Sequence, residues 1–193
     1  MTTGQNVVKK SVIDTQSLVM MAMFAAIICI SAYWSIPLPL PGSPHLTLQN
    51  FVILLVALLF PVWQSFLIVF VWMLLGAIGL PVFIAGGSGI GYLTCAWGGY
   101  TVSFILAAIV LPLIRGKKYG RMRYTAAAIL GVLLIDFFGM VWLKMFGLEG
   151  YDSWKEVFLG GFVAFLPMDL VKAVVVAQVM PAFHRVLAAG KRI

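Results

Sequence analysis

From Thr125 to Leu143 the chain reads TAAAILGVLLIDFFGMVWL, nineteen residues carrying one charge. A helix of that length rises about 28 Å, close to the hydrocarbon thickness of a bilayer, and it has no polar side to turn toward water. Five further apolar runs, separated by Gly, Pro or charge, repeat the pattern. With 63% hydrophobic and 10% charged residues over 193 positions, the chain cannot hide its apolar side chains in one soluble core. The expectation is an all-α integral membrane protein forming a single domain over residues 1–193. Its six transmembrane helices are expected at 17–34, 47–60, 62–79, 97–114, 124–146 and 160–187. The second run, TLQNFVILLVALLF before Pro61, is short for a crossing and is expected to tilt or end inside the bilayer against its neighbours. The N-terminal lysines and apolar run superficially match a signal peptide. The run is too long, has no small-residue cleavage site and precedes more spans, so it reads as the first helix.

Charge sets the orientation. The net charge of +7 could point to nucleic acid, but the cations gather at Lys9-Lys10, in RGKKYGRMR (115–123), and at Arg185, Lys191 and Arg192. These read as loop charges beside spans, and they hold ten of the thirteen Lys and Arg residues. The positive-inside pattern then puts both termini and the 115–123 loop in the cytoplasm, and leaves Lys155 with Glu149, Asp152 and Glu156 on the other side. Lys144, near a helix end, is expected to snorkel to the interface.

Two apolar irregular stretches fall on the outward face. SIPLPLPGSPHLTLQN carries four prolines between positions 37 and 44, which oppose regular hydrogen bonding and favour a stiff extended cover. GLPVFIAGGSGIGYLTCAWGGY, residues 79–100, has glycines that allow tight turns and close approach to a ligand. Either can be a plain connector; together they read better as a site or lid. Tyr33, Trp34, Phe83, Tyr92, Trp97 and Tyr100 cluster nearby, in part as an interfacial belt and in part as candidate pocket wall.

Most catalytic chemistry finds no support. GGSGIG (86–91) misses the GxGxxG spacing and has no βαβ unit around it, and RGKKYG is not a P-loop. His45 and His184 lie on opposite expected sides, which removes His-based metal and hydrolytic schemes. Cys29 and Cys95 lack metal or redox spacing and read as apolar fillers. No cofactor is expected, and an enzyme is disfavoured.

What remains is charge at bilayer depth, which costs about 2.5–3.5 kcal/mol per ionisable residue on insertion scales and normally faces a cavity or a partner. Asp136 stands in the fifth run. Asp169 and Lys172, in FLPMDLVKAVVVAQV, share a face of the sixth one helical turn apart, just after Pro167. One reading is a mutual ion pair joining the fifth and sixth helices. The other is a clamp for a polar ligand carrying amide-like N–H and C=O groups, because a carboxylate accepts N–H bonds and an ammonium donates to a carbonyl or pairs with an anion.

Across residues 19–178 the order of motifs resembles the BioY family, the biotin-specific S components of energy-coupling factor transporters. The matching pieces are TLQN (47–50) after the proline-rich loop, LLGAIGLPVF (74–83), GGSGIG followed by GGY (98–100), DFFGMVWL (136–143), and P-x-D-x-x-K from Pro167 to Lys172. The resemblance implies a six-helix S-component fold in the plasma membrane of a prokaryote, capturing biotin outside without an ATPase of its own. It also implies a transmembrane T subunit and two cytosolic ATPases as partners. Carried over by position, Asp169 and Lys172 match the pair that binds the biotin head group. Ser88 takes a turn position where related sequences can have Asn, Tyr100 matches the tyrosine of GGY, and Gln49 matches the glutamine of TLQ. The family's GPTGGY reads here CAWGGY, and Thr101 stands where some members carry Arg, so no residue is carried over for the ligand carboxylate. Ala22 and Ala26 form a small-xxx-small pattern compatible with internal packing, which the resemblance assigns to the T-subunit contact. An ion-coupled secondary transporter, with Asp136 or Asp169 titrating, and a membrane scaffold with a structural ion pair are the rival readings.

Overall fold

A computed structural model describes residues 15–116 and 118–190, with side chains described to Arg185. The chain runs α1 (Thr15–Ser31), β1 (Ser35–Pro37), β2 (His45–Thr47), α2 (Gln49–Leu59), α3 (Val62–Ala77), α4 (Ile90–Thr94), α5 (Gly98–Ile114), α6 (Arg121–Phe146), α7 (Trp154–Phe158) and α8 (Leu166–Gly190). A 3₁₀ turn at Ile84–Gly86 precedes α4, and a π-helical turn at Leu159–Val163 joins α7 toward α8. Arg121–Phe146 and the continuous stretch Trp154–Arg185 are each long and apolar enough to cross a membrane; α1, α2, α3 and α5 are apolar but shorter. Lys9, Lys10, Lys117, Lys191 and Arg192, on which the expected orientation partly rests, lie outside the described residues.

The helix α2 is the axis of the packing. Its eleven residues extend about 16 Å, half a bilayer, and Val52 to Phe60 are all buried among α1, α3, α5, α6 and α8. Pro61 then starts α3. The last carbonyls of α2 are not left orphaned: the Arg115 guanidinium donates to Phe60 O at 2.9 Å and, at 2.6 Å, to the Tyr124 hydroxyl. Arg115, expected as a loop charge, is therefore a buried helix cap, and Arg121 and Arg123 belong to the first turn of α6. Lys144 instead donates to Asp152 O in the following loop.

The outer surface is apolar. Leu18, Val19 and Ile30 of α1, Trp63 and Leu74 of α3, and Val171, Val174 and Val175 of α8 are all exposed, the inverse of a water-soluble surface. Inside, Trp72 and Phe83 meet edge to face at 5.3 Å, and Trp72 Nε1 donates to Val82 O at 2.9 Å. Helices α5 and α6 approach closely through glycine: a Cβ at Gly131 would lie 2.7 Å from Leu111, and one at Gly139 would lie 2.3 Å from the Tyr100 ring.

The proline-rich stretch departs from the expected irregular cover. β1 and β2 form a short antiparallel ladder with Ser35 opposite Thr47 and Pro37 opposite His45, and Leu38 N donates to Pro44 O at 2.7 Å. A two-stranded ribbon has edges on both sides, so Pro37, which lacks an N–H, is tolerated there. This ribbon takes up Thr47, which is why α2 begins later than the apolar run.

Candidate functional site

The ribbon and the 79–97 connection fold over one end of the helical bundle and enclose a cavity of about 290 Å³, near the lower end for small-molecule sites. Its walls come from the ribbon (Gly42 to His45, Thr47), the 3₁₀ turn (Ile84, Ala85), the approach to α5 (Tyr92, Cys95, Trp97, Tyr100), Asp136 of α6, and Phe165 and Asp169 at the start of α8; Asn50 closes it from α2. Ser43 and Ala85 hold positive φ angles of 44° and 57°, and both line this cavity. L-residues in that region store strain that the surrounding packing must sustain, a feature common at ligand clamps. Gly42 at the ribbon tip sits so close to Leu148 and Trp97 that a Cβ there would fall within 2.5 Å and 2.7 Å of them.

Asp169 lies at the floor. Pro167 occupies the first turn of α8, where its missing N–H costs nothing, and delivers Asp169 one residue-pair later. Lys172 Nζ meets Asp169 Oδ1 at 2.7 Å and also donates to Thr47 O at 2.8 Å. The second carboxylate oxygen accepts from Asn50 Nδ2 at 2.9 Å. The pair is thus an internal ion pair and, at the same time, a brace binding α8 to the ribbon and to α2. It does not join α8 to α6, as the ion-pair reading supposed: Asp136 is 1% exposed and its Oδ2 has no hydrogen-bond partner among the described residues.

An aromatic wall faces these charges. Trp97 and Tyr100 stand 5.7 Å apart, and Phe165 packs against Tyr100 at 5.5 Å and edge-on to Trp97 at 6.1 Å. The Tyr100 hydroxyl is already engaged, donating to the carbonyl of Gly161 within the π-helical turn. A π turn releases backbone groups from the ordinary ladder, and here a phenol takes one of them. Trp97 Nε1, in contrast, is buried with no hydrogen-bond partner among the described residues.

The residues expected at the site separate into three positions. Asp169 and Tyr100 line the cavity and Lys172 is bonded to Asp169. Gln49 is fully buried below it, with Nε2 3.3 Å from Val82 O and 3.4 Å from Ile28 O, joining α1 and the 79–97 connection. Ser88 is exposed in the connection, outside the cavity lining. Sequence reasoning passed over Asn50, although it stands in the same TLQN motif as Gln49, and placed Asp136 in the fifth helix without deciding between a structural and a functional role. Cys95 is corrected: it is exposed at the cavity wall rather than an apolar filler, because α4 ends at Thr94 and turns the next residue outward. Ala22 and Ala26 are exposed on α1, so internal packing does not account for them.

Comparison with known proteins agrees with this architecture. The BioY family model matches residues 5–189. The biotin transporter BioY of Thermotoga maritima is 36% identical over 164 residues, 85% of this chain and 93% of that protein. The probable biotin transporter BioY of Lysinibacillus sphaericus is 33% identical over 190 residues, 93% and 92% of the two chains. In fold, the chain resembles the crystal structure of the S-component for biotin from an ECF-type ABC transporter, with a TM-score of 0.78 at 21% identity over 88% of this chain and 91% of that one. Matched along nearly its whole length by one family model, and above 30% identical to full-length relatives, this chain belongs to the BioY family.

Proposed function

We propose that this chain is the high-affinity biotin-binding S component of an energy-coupling factor transporter, capturing biotin outside the cell and releasing it inward with an ATPase-driven module. The observation that carries this reading is a cavity lined by Asp169, which Lys172 meets at 2.7 Å, and by Trp97, Tyr100 and Phe165. An ammonium suits a ureido carbonyl, a carboxylate suits its N–H groups, and the aromatic wall suits the apolar ring and chain. Tyr100 contributes its ring; Gln49 acts by fixing the connection that covers the site, and Ser88 belongs to that connection.

The chain is a single domain of six membrane-embedded helices, α1, α2, α3, α5, α6 and the α7–α8 unit, multi-pass in a prokaryotic plasma membrane. Both termini are cytoplasmic, which puts the cavity outward and the Arg115–Arg123 end inward, in keeping with the positive-inside pattern. The partners are a T subunit and two cytosolic ATPases, with exposed Ala22 and Ala26 of α1 offering the close-approach face to the T subunit. The chain carries no catalytic residues of its own.

Equilibrium titration of purified protein with biotin tests the binding function. Asp169→Asn or Lys172→Ala is expected to weaken it by about tenfold or more. A wild-type protein that does not bind biotin overturns the reading, and wild-type affinity in both variants overturns the assignment of the pair. Uptake measured with and without co-expressed T and ATPase subunits tests the coupling.

A further inference from the structure

Among the described residues, two carboxyl groups, Asp136 and Asp169, line one cavity, and they are not in the same condition. Asp169 is satisfied on both oxygens, by Lys172 at 2.7 Å and Asn50 at 2.9 Å. Asp136 has no hydrogen bond among the described residues to its Oδ2, although it is 99% buried. Leaving a buried polar atom unpaired is costly, so such an atom needs an explanation. A helix-joining role does not supply one. Two donors of the site are spent elsewhere, Lys172 on Asp169 and Thr47 and the Tyr100 hydroxyl on Gly161, and no hydrogen bond links a third, Trp97 Nε1, to Asp136. The neighbouring small residue, Gly139, one turn on in α6, makes room for the Tyr100 ring rather than for a partner to Asp136.

We propose that Asp136 is a second ligand-binding residue, accepting the ring N–H of the cyclic ureide that Asp169 does not take. The inference rests on the biotin reading and sharpens it. A ureide presents one carbonyl flanked by two N–H donors; the cavity is lined by two carboxyl groups, Asp136 on α6 and Asp169 on α8, with the Lys172 ammonium bonded to Asp169. Two carboxyl acceptors are the complement of the ureide's two N–H donors. A ligand with a single N–H, such as a simple amide, would leave Asp136 unpaired, so Asp136 selects for ureides over amides and lactams.

The test is equilibrium binding of the full-length purified protein to biotin and to two biotin analogues, each methylated on one ring nitrogen. Wild type is expected to bind both analogues more weakly than biotin by about tenfold or more, because each loses one carboxyl contact. Asp136→Leu is expected to weaken biotin by a similar factor, to weaken one methylated analogue no further, and to keep discriminating against the other. Asp136→Asn, which retains an oxygen acceptor, falls less than Asp136→Leu. Wild type that tolerates methylation of either nitrogen overturns the inference, and this holds even where Asp136→Leu does not fold. Equal losses for biotin and both analogues in Asp136→Leu also overturn it, assigning Asp136 to the frame. If wild type binds biotin and only these patterns fail, the biotin reading stands and the Asp136 role falls; if wild type binds no biotin, both fall.

Discussion

Asn50 of α2 donates to Asp169 of α8 across 2.9 Å, 119 residues away in sequence, and fills the carboxylate oxygen that Lys172 leaves open. Helix α2 thereby holds the acidic group of the cavity in place from the protein core. Removing the donor with Asn50→Leu keeps the branched shape of the side chain and leaves a buried carboxylate oxygen unpaired, a cost of about 1–3 kcal/mol. Titration calorimetry is expected to show weaker biotin binding, and a thermal melt a lower melting temperature. Asn50→Asp would place a third carboxyl group at the cavity and is expected to be worse than Asn50→Leu. An Asn50→Leu protein with unchanged affinity and melting temperature would remove Asn50 from the site.

Tyr100 is expected to act by position more than by its hydroxyl's contact with ligand. Its O–H is committed to the Gly161 carbonyl in the π-helical turn that leads into α8. Tyr100→Phe keeps the ring against Trp97 and Phe165 and is expected to cost roughly 1 kcal/mol of stability with a small change in affinity. Tyr100→Ala removes the wall itself and is expected to lose binding outright. Gly139→Val, which drives a side chain into the space of the Tyr100 ring, is expected to behave like Tyr100→Ala. Melting curves with and without biotin separate the two classes of variant.

Much of this arrangement was legible from residue pattern, and the reasons for the exceptions are physical. Span ends such as Val62, Ile114 and Phe146 fall within a residue or two of their expected positions, because Pro61, the basic 115–123 stretch and Gly147 punctuate the apolar runs. The ribbon was hidden because prolines argue against strands, and only a two-stranded edge accommodates Pro37. The Asp169–Lys172 contact follows from helical spacing alone. Asn50 and Thr47 as its outside partners do not, since pairing across more than a hundred residues is decided by tertiary packing. Arg115 looked like any loop cation until the end of α2 was found beside it, with carbonyls to cap.

Cys95 supplies a direct reporter of occupancy. Its thiol is exposed and lies in the cavity wall, whereas Cys29 is half-buried in α1 facing the apolar core. A water-soluble maleimide is expected to label Cys95 in the free protein and to label it more slowly when biotin fills the cavity. Cys95→Ser protein is expected to lose nearly all labelling and to keep binding. Equal labelling rates with and without biotin would place the ligand away from this wall.

Substitutions at Ala22 and Ala26 test capture and delivery separately. Both are exposed on α1, while Met21, Phe24 and Ile28 on its other side are buried in the core. Small side chains on an exposed helix face let another helix approach closely, and a bulky residue there holds it away. Neither alanine lines the cavity, so Ala22→Leu and Ala26→Leu are expected to leave biotin titration unchanged and to reduce uptake in cells co-expressing the T and ATPase subunits. Co-purification of those subunits is expected to fall in parallel. Ala26→Ser, which stays small, is expected to retain both. Because the substituted side chains enter an apolar outer surface, loss of uptake with intact binding and intact melting temperature isolates the partner contact, whereas unaffected uptake in both leucine variants would assign this face of α1 to lipid.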